Sequence, residues 1–451
     1  MALSSPYLPL EVHRIISQYI HRFDLPNYRL ASKGFAAIGA EELFRTITFH
    51  YSSASLARVT AIRESEHLQK QVQVLTWDTN LWKIPQVMDL HEWETYLLLK
   101  AEYFHLKSAG WTSEDTHATK LAQIVGSRQQ WEQYLDNVQD EKRAKSYCAS
   151  HEYLLGFDNV KKLCIVNGAL VPGHRGLRKV GNNVLLAEDN PATLLRGEGL
   201  HRSGDHVSAS ARPSVHAFQV IPELSGLDLK KLRLDALCWR AFCRPMKSIS
   251  ALQNLTSLRL QLTVQSEGAD PDTGHARQDI CDGFLTEYLT NLPHLESLQL
   301  DLEGRICGDD NGYRAPSTID DIFPPEHTWP KLRKLSLRYL DTTPGALLSL
   351  LRRHSSTLKI LRLHSICLEM NLSDNNLYLN WPQVLQEISV TLHLERATLS
   401  GWLGFDQGGY EWNLGEKRTL AVAAATHLVA GGECPLHEGN AYFGRSNRSG
   451  A

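Results

Sequence analysis

Few residue groups in this 451-residue sequence have the types and spacing that catalysis or metal binding requires. In Cys434-Pro435-Leu436-His437 a two-residue gap would let a thiolate and an imidazole reach one ion. A zinc site takes at least three protein ligands, however, and no second pair has matching spacing. His91-Glu92, His151-Glu152 and His437-Glu438 open like a helical zinc-protease motif, but none is followed by His three residues on. Gly444-Arg445-Ser446-Asn447 begins like a nucleophile elbow, and Arg448 stands where the closing glycine is needed. No Gly-Lys dipeptide supplies a phosphate-cradling loop, and Gly197-Glu198-Gly199 lacks the third glycine of a dinucleotide fingerprint. The 20 histidines are dispersed. These patterns predict a chain with no catalytic residue, metal or cofactor, whose work is done by surfaces.

Such surfaces need a packed scaffold, and the composition provides for one. Hydrophobic residues make up 42% and charged residues 22%, which excludes collagen-like, coiled-coil and wholly disordered chains. At roughly 150 residues per domain the length suggests about three domains, or one long repeat array with a small module. A net charge of -3 lacks the clustered positive charge that general nucleic-acid or anionic-membrane binding needs. Glu11, His13 and Arg14 interrupt any signal-peptide core, and Leu420 to Ala430 is too short for a membrane span. The expectation is an intracellular protein, cytoplasmic and/or nuclear, whose eight cysteines are reduced thiols, since no CxxC pair occurs.

Val12, Ile15, Ile16, Tyr19 and Ile20 recur at the period of one helical face. Asp24 precedes Pro26 by two residues, which suits a second helix start with Asp as cap. Leu25, Tyr28, Ala31, Phe35 and Ile38 continue an apolar stripe to Leu43-Phe44, after which Ile47, Phe49 and Tyr51 alternate as in a strand. Helices this short cannot bury every stripe in a core of about 45 residues, so another surface must cover them. Leu8-Pro9-x-Glu11, the Ile15 to Ile20 helix, Asp24-Leu25, Arg29-Leu30-Ala31-Ser32-Lys33-x-Phe35 and Leu43-Phe44-Arg45 together resemble an F-box. That module docks substrate receptors onto the Skp-family adaptor of Skp-cullin-F-box ubiquitin ligases. Phe35 stands where many members carry Trp. The resemblance implies adaptor binding by Leu8, Pro9, Ile16, Leu25, Leu30, Phe35 and Leu43.

One pattern dominates the rest of the chain. Leu229-x-x-Leu232-x-Leu234 recurs from Leu255, Leu295, Leu332 and Leu358, with weaker copies from Val72, Val160 and Leu394. Successive strong copies start 26, 40, 37 and 26 residues apart, so two intervals fit a leucine-rich repeat and two carry insertions. One short strand per repeat would turn its leucines inward, and no repeat can bury that face alone. Helical stripes fill the gaps: Ile280, Phe284 and Tyr288; Leu347, Leu348, Leu350 and Leu351; and Trp381, Leu385, Ile388 and Leu392.

The expected fold class is mixed α/β: an N-terminal three-helix module over residues 1–50, then an irregular leucine-rich-repeat solenoid over 51–405. A helical insertion at 89–156 and a flexible loop at 167–214, with seven glycines between 168 and 204, interrupt it. A C-terminal tail, 406–451, has no assigned role. This order, with phrases such as Leu350-Leu351-Arg352-Arg353-His354-Ser355-x-x-Leu358 and Trp381-Pro382-x-x-Leu385, resembles the F-box proteins abundant in filamentous fungi.

The residue between the last two leucines of each copy should face away from the core, which gives Arg233, Arg259, Gln299, Ser336 and Arg362. The next row is Asp235, Gln261, Asp301, Arg338 and His364. Guanidinium forks bind carboxylate and phosphate bidentately, so Arg233, Arg259, Arg338 and Arg362 are the candidate contacts to an acidic or phosphorylated peptide. The resemblance implies a non-catalytic receptor that reaches cullin through the adaptor and selects an unknown protein substrate, without nucleic acid or membrane. A repeat scaffold with no ubiquitin role is the alternative.

Overall fold

The structure, a computed structural model, describes residues 8–20, 24–79, 154, 156–166, 217, 218, 220, 221, 227–242, 252–263, 283–302, 319–368, 379–405 and 410–443, with scattered residues between 132 and 144. The expected insertion at 89–156 falls almost entirely, and the glycine-rich loop at 167–214 entirely, outside the described residues. The protein is mixed α/β with a mostly parallel sheet. Contacts divide it into two compact units, Met1–Gly204 with Gly226–Asp228, and Asp205–Ser225 with Leu229–Ala451.

The first unit opens with three helices, α1 (Leu10–Tyr19), α2 (Leu25–Leu30) and α3 (Lys33–Arg45), and strand β1 (Thr46–His50). Helix gives way to strand where the apolar period changes from 3.6 to two, because Thr46, Ile47 and Thr48 are β-branched and favour extended backbone. Ser32 caps α3, its Oγ accepting from the Phe35 amide at 3.1 Å. Asp24 does not cap α2 as its type suggests. Its backbone is αR (φ -92, ψ -15) rather than the extended conformation that lets a capping side chain reach back, and Pro near the first turn sets the start instead. Helices α4 (Ser53–Glu64) and α5 (Glu66–Gln69) lead to β2 (Val74–Asp78), and β3 (Lys162–Val166) completes a parallel trio in which Thr46, Val74 and Lys162 align.

The second unit repeats one move. Strands β4 (Lys231–Cys238), β5 (Ser257–Thr263), β6 (Ser297–Asp301), β7 (Lys334–Thr342), β8 (Ile360–Leu368) and β9 (Arg396–Phe405) pair in chain order, all parallel. Helices α6 (Phe284–Thr290), α7 (Ile319–Ile322), α8 (Pro344–Arg353) and α9 (Trp381–Thr391) lie in the connections. Every copy of the leucine pattern becomes a strand. In β4 to β8 the two in-strand leucines form unbroken columns, Leu232, Leu258, Leu298, Leu335, Leu361 and Leu234, Leu260, Leu300, Leu337, Leu363, each at most 2% exposed. Burial of each contributes roughly 1.5–3 kcal/mol. The carbonyls of Lys230, Thr256, Glu296, Arg333 and Lys359 each accept from two successive amides of the next strand's entry, so the repeats share one backbone geometry.

Beyond residue 405, β10 (Tyr410–Asn413) turns antiparallel to β9, α10 (Arg418–Ala430) packs on β9 and α9, and β11 (Tyr442–Phe443) pairs with β10. No helix among the described residues is long and apolar enough to cross a membrane.

A left-handed residue stands at the same place in three successive strands: Tyr339 (φ 55), Ser365 (φ 50) and Gly401 (φ 70). Pairing is interrupted there and resumes beyond it, in the same register between β7 and β8 and slipped by one residue between β8 and β9, as Arg338, His364 and Ser400 align before the kink and Leu340, Ile366 and Leu403 after it. The kink lets each strand turn a second apolar side chain inward after its leucines end. At Gly401 a Cβ would collide with Ser365 Oγ, so glycine is required by space as well as by φ.

His354 ties two repeats together. The Trp329 amide donates to its Nε2 at 3.1 Å, its Nδ1–H donates to the Leu350 carbonyl at 2.8 Å, and Trp329 Nε1–H reaches back to the Leu289 carbonyl at 3.3 Å. Both ring nitrogens are engaged as in neutral imidazole, and burial holds its pKa below the ordinary histidine value. Replacing His354 by Ala should lower unfolding free energy by about 2–4 kcal/mol in urea titration, since it leaves a cavity and a buried amide without acceptor. An unchanged midpoint would show that these links do not carry the stack.

Candidate functional site

Two surfaces, one in each unit, have the character of binding sites. On the first, helices α1 to α3 pack by a small set of contacts. Arg14 pairs with Glu41 at 3.1 Å, Tyr28 stacks on Phe35 at 4.8 Å, and the His13 ring lies 4.4 Å from Phe35. Gly39 allows α3 to pass close to the Arg29 stem. With Leu25, Ile38 and Ala40 buried inside this hairpin, the α1 stripe is left facing outward: Ile15 is 56%, Ile16 38% and Tyr19 86% exposed, with Leu30 of α2 at 85%. Single exposed apolar residues are ordinary, whereas several on adjoining short helices mark an interaction site.

Of the seven residues expected to hold an adaptor, Leu8, Pro9, Ile16 and Leu30 are exposed, while Phe35 and Leu43 are part-buried. Leu25, only 2% exposed, is sealed within the chain. It supports the helices and offers no surface of its own. Ile15 and Tyr19, which belong to the helical stripe but not to that expected set, are among its most exposed members.

The second surface is the side of the β4–β9 sheet away from the leucine columns. Arg233, Arg259, Gln299, Ser336, Arg362 and Thr398 align there as one row. The expected arginine group divides electrostatically. Arg233 and Arg259 both approach Asp235, at 2.5 and 3.4 Å, and Arg338 pairs with Asp301 at 3.1 Å. These three hold carboxylates of their own chain. Arg362 has no ion pair among the described residues, and its buried Nε has no hydrogen-bond partner. Lys334, two residues before Ser336 and on the same face, was not in the expected set. Burial, with Arg362 and Arg259 nearby, pushes its ammonium pKa below the ordinary lysine value. Its signal in the sequence is only its place at the first position of a strand.

The adjoining row reads Gln261, Asp301, Arg338, His364 and Ser400 across neighbouring strands. His364 Nδ1 lies 2.8 Å from Ser400 Oγ and its Nε2 3.1 Å from the Tyr339 hydroxyl. Burial, then the charge of Arg338, hold its pKa down to about 4. An imidazole so weakly basic serves better as a neutral link between hydroxyls than as a general base near neutral pH.

Cys434 and His437, the one spacing suggestive of metal, line an open hollow beside α10. Burial raises the Cys434 thiol pKa, opposite to what a ligand or nucleophile needs. Asn440 organises the turn instead, its side chain meeting Pro435, His437 and Trp412. Among the described residues no three His, Cys, Asp or Glu side chains converge to hold a metal ion. No model of a known protein family matches the chain, and no curated protein matches it significantly.

Because His364 is depressed in the fold and ordinary when unfolded, the unfolded chain binds the extra proton first. Stability should therefore fall as pH drops from about 6.5 towards 4, by on the order of 1–2 kcal/mol after screening at a part-exposed site. His364→Gln, which keeps a polar link, should flatten that part of the slope in urea midpoints measured from pH 7 to 4. An identical slope would mean that His364 is not held neutral.

Proposed function

We propose that this chain is the non-catalytic, substrate-recognising subunit of a Skp-cullin-F-box ubiquitin ligase. Residues 1–50 are the F-box that docks a Skp-family adaptor and, through it, cullin, and the repeats over 51–405 are an irregular leucine-rich-repeat solenoid that binds a target protein. The observation that carries this reading is the outward-facing stripe of Ile15, Ile16, Tyr19 and Leu30, set on helices whose own core is already closed by Leu25 and Ile38. Large apolar side chains gain roughly 1.5–3 kcal/mol each when a partner covers them. The columns of aligned leucines in strands paired in chain order support the solenoid part. On this reading partner subunits perform the ubiquitin chemistry. The receptor contributes proximity, since a substrate lysine held near a charged conjugating enzyme reacts as if intramolecularly.

A scaffold without a ubiquitin role is the second reading. It is favoured by the contacts of α3 with β1 and α5, through which the helices also cap the first strands. Affinity purification of the full chain with a Skp-family adaptor and cullin separates the two. Ile16→Glu with Leu30→Glu, both at exposed positions, should leave the fold intact and reduce adaptor capture more than tenfold. Capture undiminished in the folded double variant, or absent from the unaltered chain, would leave the scaffold as the better account.

A further inference from the structure

We infer that the outer face of α10 (Arg418–Ala430) is a self-association surface, against which the same helix of a second copy of this chain packs antiparallel about a two-fold axis. This holds whether or not residues 1–50 dock an adaptor.

The sequence of α10 gives it two apolar faces. Ala424, His427 and Leu428 are buried where the helix packs on β9 and α9. On the other side Thr419, Val422, Ala423, Thr426, Val429 and Ala430 are exposed, Val422 at 66% and Val429 at 43%. Thr419, Val422, Thr426 and Val429 follow one another at intervals of three, four and three residues, the spacing of a seam between paired helices. No Asp, Glu, Lys or Arg stands between Thr419 and Gly432. A solvated helix face normally carries charge, as α9 does at Glu387, which pairs with Arg352 at 3.0 Å. The outer side of α10 instead has the small, uncharged chemistry of a covered one. Ala423 and Ala430 beside the seam let a second helix axis approach to about 8 Å.

The ends of the helix identify the occupant. Arg418 is exposed in the first turn, where its charge opposes the positive end of the helix dipole, and it has no ion pair among the described residues. Its neighbour Lys417 is held within the chain, donating to the Asn440 carbonyl at 2.8 Å. At the other end Gly431 closes the helix, its amide donating to the His427 carbonyl at 2.9 Å, and Glu433 stands exposed just beyond. A cation at the positive end and an anion beyond the negative end are the reverse of what the helix favours by itself. An antiparallel copy corrects both. It sets Thr419 against Val429 and Val422 against Thr426, and it brings Arg418 of each copy beside the carbonyl end and Glu433 of the other. Two-fold symmetry satisfies the two ends alike. A parallel copy would place Arg418 beside Arg418, and a foreign helix would need the same reversed charges. The 13 residues of α10 make a contact about 20 Å long, which falls below the roughly 1,200 Å² of a standard interface, so the dimer is weak and reversible.

The test is analytical ultracentrifugation of the full chain from about 1 to about 200 μM, the range in which weak interfaces titrate. The average mass should rise reversibly from one chain towards two. Val422→Lys with Val429→Lys, both at exposed positions, should weaken association at least tenfold. Ile16→Glu with Leu30→Glu, in the first unit, should leave it unchanged. Arg418→Glu should weaken it severalfold while raising the melting temperature, because an acidic residue suits a helix start. Glu433→Arg should weaken it likewise, and Arg418→Glu combined with Glu433→Arg should restore it to within about twofold. A merely structural role for either residue would not be repaired by the exchange. A chain that stays monomeric throughout, association undisturbed by the two lysines, or association lost with Ile16→Glu and Leu30→Glu would overturn the surface. Single variants that weaken the dimer without repair by the exchange would overturn the antiparallel arrangement. Should the double lysine variant fail to fold, as judged by its melting curve, Arg418→Glu and the exchange decide the same question.

Discussion

The burial of the leucine columns is the constraint on which the rest of the structure depends. A strand that points Leu298 and Leu300 to one side cannot cover them with its own few residues, and two-layer cover requires neighbouring strands in register together with helices in the connections. Parallel pairing in chain order meets both demands at once, because each crossover helix lies on the side to which the leucines turn. The opposite face carries the polar side chains, some of them buried, such as Asp301 and Ser336. It is the only side of the strands on which Arg, Lys, Asp and His can stand without filling the core. The same hydrophobic requirement that orders the repeats therefore sorts the polar residues into rows whose neighbours are set by register rather than by sequence distance.

The kinks at Tyr339, Ser365 and Gly401 extend this logic. Two of the three are not glycine, and holding such residues at positive φ costs on the order of 1–3 kcal/mol each. Apolar burial just past each kink compensates: Leu340, Ile366 and Leu403 return to the core, none more than 1% exposed. The polar row just before the kinks gains as well. Arg338, His364 and Ser400 are brought side by side, and Tyr339 closes on His364 from the neighbouring strand. Local strain and side-chain placement are thus one feature of the strand ends.

The repeating part of the fold was legible in the sequence because it depends on a short-range signal of large amplitude. Leu-x-x-Leu-x-Leu announces each strand, and the helical stripes at Leu347 to Leu351 and Trp381 to Leu392 announce two of the crossovers. The change of period at Thr46 marks the end of α3 in the same way. What was not legible depends on contacts between residues far apart in the chain. Arg233 and Asp235 stand two residues apart on one strand, but nothing near Arg259 or Arg338 says that Asp235 and Asp301 will approach them, since both outcomes depend on pairing between strands. Lys334 escaped notice because the pattern draws attention to the residue between the leucines and not to the one before them. Leu25 shows the limit of residue type: a leucine in an amphipathic stripe supports a core or a docking face equally well, and only the packing of α2 on α3 decides.

Net charge conceals the same distinction. A value of -3 over the whole chain speaks against general attraction to polyanions, and it is silent on Lys334 and Arg362, neighbouring cations with no carboxylate partner among the described residues. Such a pair is costly to fold, because like charges repel and the partly desolvated ammonium of Lys334 becomes easier to deprotonate. Exposed lysines and arginines elsewhere avoid this cost by extending into water, as the 66% exposed side chain of Arg333 does on the adjoining position. The fold tolerates the unfavourable arrangement because the buried leucines beneath it fix the strands whatever stands above them.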